Sequence, residues 1–253
     1  MKIVETFNNV ILLNCESEPV NNDNKIRIIY SKYRNGQKKY SEHELKQMFI
    51  QVLNDRKGSH RFFYSLEAPT RNKYIFKNKN NCKSCSCKNV NQCTIVIKKN
   101  NESGNAKEKD YSRSGRTDVY LYTISNNCYI RYSPIEFKWD NPQNRELCQD
   151  LLKLDMESSY NNNSGKGYFV LIMYKFDSKT KKSISNKIEI AHKFVCENNK
   201  RCKINNINIS IYILTLINQT ESNNNDSTGF YKIELNNDTN SIELNKNNYK
   251  KIS

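Results

Sequence analysis

Three residues of this chain combine types and spacing suited to phosphoryl chemistry: Asp118, Glu136 and Lys138. Ser125-Asn126-Asn127 lies between them and reads as a tight turn. With the turn centred near Asn127, Asp118 and Glu136 are equidistant from it and face each other across an antiparallel hairpin. Their Cβ atoms are then expected about 5 Å apart. Two opposed carboxylates destabilise a hairpin unless a cation lies between them, and a hard divalent ion with oxygen ligands meets that need. Strand alternation puts Lys138 on the face of Glu136 and Phe137 on the other. Mg²⁺ or Mn²⁺ held by the two carboxylates would stabilise charge on a phosphate and activate a bound water. The Lys138 ammonium would orient that water or stabilise the developing charge. The same triplet also reads as a surface ladder of charged pairs, with Lys138 bridging carboxylates. Pro134, two residues before Glu136, breaks one ladder bond and can add a bulge that shifts the register by one.

The elements that must position these residues are legible on both sides. Ser41 and Glu44 form a capping box. Leu45, Met48, Phe49, Val52 and Leu53 then lay one apolar stripe along a helix from about residue 42 to 55. Arg61–Leu66 is an aromatic strand, and Pro69 should end its ladder or mark an edge. Asp118–Thr123 and Cys128–Trp139 form the hairpin, interrupted at Pro134. Leu147, Leu151, Leu152 and Leu154 show helical periodicity, with Asp150 and Lys153 read as exposed helix residues. Tyr168–Tyr174 is a nearly continuous apolar run, as in a strand buried on both faces. Val10–Leu13, Ile26–Tyr30, Ile188–Ile190, Ile207–Ile217 and Phe230–Leu235 read as further strands. The expected fold is a mixed α/β single domain over residues 1–253.

The order acidic helix, acidic hairpin strand, Glu136-x-Lys138, helix and buried strand resembles the PD-(D/E)xK nuclease superfamily. The resemblance covers residues 42 to about 174. It implies a restriction-endonuclease-like mixed central sheet flanked by helices. It implies that Asp118 and Glu136 bind the metal, that Lys138 assists catalysis, and that Glu44 matches the accessory acidic position, with Glu42 as the other choice. The Glu67–Thr70 segment also resembles strand ends seen in some members. Thr117 stands before Asp118 where the family pattern has Pro. The family-level expectation is an endonuclease of restriction or defence type acting on DNA, most often double-stranded, in many cases as a homodimer. The alternative is a nucleic-acid-binding protein that keeps the fold without cutting.

A second cluster, Cys82-x₂-Cys85-x-Cys87-x₅-Cys93, carries enough thiolates for one tetrahedral Zn²⁺. Free thiols and an iron–sulfur cluster remain open. The cluster sits in a polar insertion, residues 77–117, that needs a staple to hold structure. The other five cysteines read mostly as small buried side chains. None of the three His lies in a ligand-spaced pair, and Ser164–Gly167 lacks the spacing of a phosphate loop.

A net charge of +15 suggests a polyanionic partner, although Lys and Asn usage also follows base composition. Arg71, Lys73, Arg113 and Arg116 flank the hairpin and are the candidate nucleic-acid contacts. No apolar run reaches the roughly 18 residues of a membrane span. The start shows no charged-then-apolar leader, so a cytoplasmic location without disulfides is expected. The Asn-rich tail, residues 236–253, reads as mobile.

Overall fold

A computed structural model describes residues 31–32, 38–39, 41–55, 63–78, 92–97, 113–159, 165–173, 177–202, 207–215, 230–236 and 239. Short strands β1 (Ser31–Lys32) and β2 (Lys38–Lys39) pair with each other. Helix α1 (Glu42–Asp55) follows, then β3 (Phe63–Asn78), β4 (Gln92–Ile97), β5 (Arg113–Ser125) and β6 (Cys128–Trp139). Helix α2 (Asn144–Ser159) leads to β7 (Gly167–Met173), and helix α3 (Ser178–Cys202) to β8 (Ile209–Thr215) and β9 (Phe230–Leu235). Seven strands form one sheet in the order β4-β3-β5-β6-β7-β8-β9. The β3–β4, β3–β5, β5–β6 and β8–β9 pairs are antiparallel, whereas β6–β7 and β7–β8 are parallel. The α/β class and mixed sheet agree with the sequence expectation.

Each parallel neighbour is reached through a helix, because parallel strands need a long crossover. Helices α2 and α3 bury one face of the sheet. Leu147, Leu151 and Leu154 of α2 and Ile184, Ile188 and Val195 of α3 share a core with Phe169, Leu171, Ile211 and Ile213. The central strand β7 is buried along nearly its whole length, which explains its continuous apolar sequence. At its start, a Cβ added to Gly167 would lie 3.1 Å from the Cβ and carbonyl oxygen of Leu154. Glycine is what lets the strand pass that close under the end of α2.

Three expectations change. Ile188–Ile190 belongs to α3, not to a strand. The buried residues Ile184, Ile188, Ala191 and Val195 recur at helical intervals, and Ile190 only mimics strand alternation locally. The β3 ladder does not stop at Pro69, which pairs with Arg116, but β4 joins β3 only from Lys73, so among the described residues Pro69 does lie at an edge; the register slips between Pro69 and Lys73 and the strand continues to Asn78. Strand β6 is likewise unbroken at Pro134, which pairs with Tyr120.

The hairpin register is set by its turn and then corrected. Asn126 and Asn127 both have positive φ, 50° and 58°, as a two-residue hairpin turn with strand-matched twist requires. Tyr122 pairs with Arg131, but Leu121 pairs with Ser133, so Tyr132 is the extra residue of a bulge. Beyond it Val119 pairs with Ile135. Strand β6 ends with Trp139 paired to Ile172, and Asp140, at φ 61°, donates its N–H to the Ile172 carbonyl at 2.7 Å.

The expected strands Val10–Leu13 and Ile26–Tyr30 lie outside the described residues. So do Cys82, Cys85 and Cys87; Cys93 is placed only as a backbone position in β4. Within the insertion, β4 adds an edge strand against β3. Of the tail, Asn236 and Thr239 are described and bond each other. Among the described residues no helix is long and apolar enough to cross a membrane.

Candidate functional site

The ladders place one acid on each of three adjacent strands at the same level. Leu66 pairs with Val119 and Ala68 with Thr117, which sets Glu67 across from Asp118. Val119 pairs with Ile135, which sets Asp118 across from Glu136. The sequence expectation centres the turn on Asn127. The true turn centre lies between Asn126 and Asn127, and the Tyr132 bulge restores the expected pairing at the site. Glu67 has φ 50°, a left-handed conformation costly for a residue with a Cβ and typical of strained functional positions.

Two helices complete the cluster. Glu42 and Lys46 come from α1, and Asp150 and Lys153 from α2. Asp118 accepts the Phe137 N–H through Oδ2 at 2.7 Å and the Lys46 ammonium through Oδ1 at 2.7 Å. Lys46 Nζ also lies 3.2 Å from Glu67 Oε1 and 3.7 Å from Glu42 Oε1. Lys153 Nζ bridges Glu136 Oε1 and Asp150 Oδ1, both at 2.8 Å, and donates to the Arg116 carbonyl at 3.1 Å. Lys138 Nζ stands 3.3 Å from Asp150 Oδ2 and 3.9 Å from Glu42 Oε2. Asp150 Oδ2 is buried without a hydrogen bond of good geometry, so its contact with Lys138 is ionic only.

The electrostatics follow from this burial. Glu136 is 2% exposed. Burial pushes its carboxyl well above the ordinary range, the Asp150 and Asp118 charges add to that, and Lys153 works against it. Burial also raises Glu42, with Lys138 opposing. For Lys46, burial favours the neutral amine, but the hydrogen bond and charge of Asp118 outweigh it and the net shift is upward. Lys138 and Lys153 show the same balance, with Asp150 the foremost charge holding each ammonium. All three lysines therefore stay charged. Five carboxylates face three ammonium groups, which leaves two negative charges uncompensated when every group is ionised.

The structure thus brings Asp118, Glu136 and Lys138 together on one face. It does not bring Glu44 there. Glu44 Oε2 accepts the Ser41 N–H at 2.7 Å and the Ser41 hydroxyl at 2.6 Å, closing the capping box. Glu42, the other acid of that turn, faces the cluster instead. Asp150 and Lys153 are not exposed: Asp150 is 6% exposed, and Lys153 is half-buried between two acids. Arg116 is exposed and Arg71 half-buried, with the Arg71 N–H donating to Glu157 at 2.7 Å. Lys73 and Arg113 are placed as strand positions beside each other on β3 and β5; their side chains lie outside the described residues. Lys46 carried no signal by itself, and Glu67 only through the likeness of Glu67–Thr70 to strand ends. The i,i+4 pair Glu42/Lys46 and the i,i+3 pair Asp150/Lys153 were the available cues.

No family model, curated protein or solved structure matches the chain. The functional reading therefore rests on the site's own geometry.

The donor set fits a hard divalent cation in chemistry: carboxylate oxygens with excess negative charge. It is not a ready-made cage, because among the described residues no three ligating side chains are gathered around one empty point. The lysines interleave the acids instead. Of the scattered cysteines, Cys148 is buried, with its thiol pushed up to about 12 by burial. Cys196 is half-buried, and Cys128 is exposed at the hairpin turn, where a small apolar side chain was expected to be buried.

Proposed function

We propose that this chain is a divalent-metal-dependent endonuclease acting on DNA, with the restriction-endonuclease-like fold of the PD-(D/E)xK superfamily. The observation that carries the reading is the row Glu67–Asp118–Glu136 on three adjacent strands, with Lys138 on the same face. A bound Mg²⁺ or Mn²⁺ would supply a polarised water and neutralise charge on the phosphate. Asp118 and Glu136 would hold it, with Glu67 and Glu42 joined to Asp118 through the Lys46 ammonium. The net upward shift at Lys138 keeps it an ammonium, so it can donate to the attacking water or the phosphate but cannot take a proton. Arg116 on the exposed rim suits a backbone phosphate.

The alternative, nucleic-acid binding without cleavage, is favoured by one observation: every carboxylate of the row already meets a lysine. A single assay separates the two. Plasmid DNA is incubated with the wild type, Asp118→Asn and Lys138→Ala, in Mg²⁺ and in EDTA. The nuclease reading expects cutting by the wild type in Mg²⁺ alone and a loss of about 10²-fold or more in both variants, with unchanged circular dichroism. Cutting by both variants at the wild-type rate, or DNA retention without cutting by the wild type, sinks it.

A further inference from the structure

We propose that Lys46 is a tethered cation that holds the cluster-facing oxygen of Asp118, which a divalent metal at this site would need, and must leave before a metal ion binds. The inference rests on the metal-dependent reading above and concerns how that site is regulated. Asp118 has two oxygens, and one is committed to the Phe137 N–H at 2.7 Å. The other faces the cluster and holds the Lys46 ammonium at 2.7 Å. The same ammonium draws in Glu67 from β3 at 3.2 Å and Glu42 from α1 at 3.7 Å. One nitrogen thus sits among three carboxylates from three elements, oxygen ligands of the type a hard divalent cation takes.

The two cations exclude each other. They compete for the same oxygen lone pairs, and like charges at that separation repel strongly in a partly buried site. Lys46 reaches the cluster on a flexible four-carbon stem, so the ammonium can swing outward without unfolding α1. A phosphodiester anion at the rim is a ready acceptor for it. Metal loading is then coupled to the arrival of a polyanion, and the protein without nucleic acid keeps Asp118 paired with Lys46.

Mn²⁺ titration calorimetry on the full chain, without nucleic acid, tests this. The proteins are the wild type, Lys46→Met, Lys46→Arg and the double variant Lys46→Met/Asp118→Asn. Lys46→Met should bind Mn²⁺ more tightly than the wild type by on the order of tenfold or more. Lys46→Arg, which keeps the cation, should stay near the wild type. The double variant should lose the gain. In thermal unfolding, Lys46→Met should melt below the wild type without metal and recover in Mn²⁺, because its acids lose their shared counter-ion. Lys46→Gln takes its place if Lys46→Met does not fold without metal. Measurable binding in both proteins, with equal or weaker affinity in Lys46→Met, overturns the tethered cation and leaves the metal-dependent reading standing. No Mn²⁺ binding in any variant overturns both.

Discussion

Asp155→Asn isolates the cost of a buried carboxylate that plays no part in the candidate site. Asp155 lies fully buried in α2. Its Oδ2 accepts the Asn199 amide at 2.7 Å, while its Oδ1 has no hydrogen-bond partner. Burial pushes the carboxyl from 3.8 up to about 6, against the pull of the bonds from Asn199 and Asn208. A carboxyl with a raised folded value binds more protons in the folded protein than in the unfolded chain within that window. Stability is therefore lost as pH rises through it. Asparagine keeps an acceptor for Asn199 and does not ionise. The stability difference between variant and wild type should move in the variant's favour by about 2 kcal/mol between about pH 4 and pH 7. Any fixed cost of the new amide cancels in that comparison, as do other titrating groups shared by both proteins. Urea unfolding followed by circular dichroism at each pH gives the two differences. A difference that stays flat with pH, within about 0.5 kcal/mol, refutes the argument that burial dominates at this carboxyl.

Two further outcomes are expected. The Arg131 guanidinium pairs with the buried Glu157 at 3.2 Å, donates to the Pro69 carbonyl at 2.8 Å and lies 4.9 Å from the Tyr120 ring centroid. Arg131→Met should cost about 1.5–3 kcal/mol in urea unfolding by removing one charge-assisted partner of that buried carboxylate, and a loss below about 1 kcal/mol would show that water or relaxation compensates it. The two acids at the start of α1 should separate cleanly: Glu44→Ala should cost about 1 kcal/mol of stability through the lost cap and leave Mn²⁺ affinity unchanged, whereas Glu42→Gln should weaken Mn²⁺ binding. The reverse pattern in calorimetry and thermal melts would return Glu44 to the site.

Much of the strand and helix framework was legible because local patterns decide it. The capping box and stripe place α1 at 42–55, and the Leu spacing places α2. The hairpin turn was legible from its asparagines, but the bulge was assigned to Pro134 when Tyr132 carries it. Proline needs only one missing donor tolerated, and β6 tolerates it within the ladder. Helix α3 went unread because its polar face is long and its apolar residues are sparse, so a two-residue alternation outweighed the helical period. At the site, the triplet on the hairpin was readable from spacing in one element pair. Lys46, Glu67 and Asp150 join it only through tertiary placement, from α1, β3 and α2. Burial of Asp150 and Lys153 was likewise invisible, since charged residues at helix positions are ordinarily solvated and these two are held in by each other.

Strand β6 closes on Trp139, the only tryptophan of the chain, one residue past Lys138 and in register with Ile172. Indole emission responds to nearby charge and hydration. The protein therefore carries one native fluorophore on the strand that bears Glu136 and Lys138, on its other face, with no second indole to dilute its signal. A shift of β6 on the cation exchange proposed above should register in that emission on the unlabelled, unmodified chain.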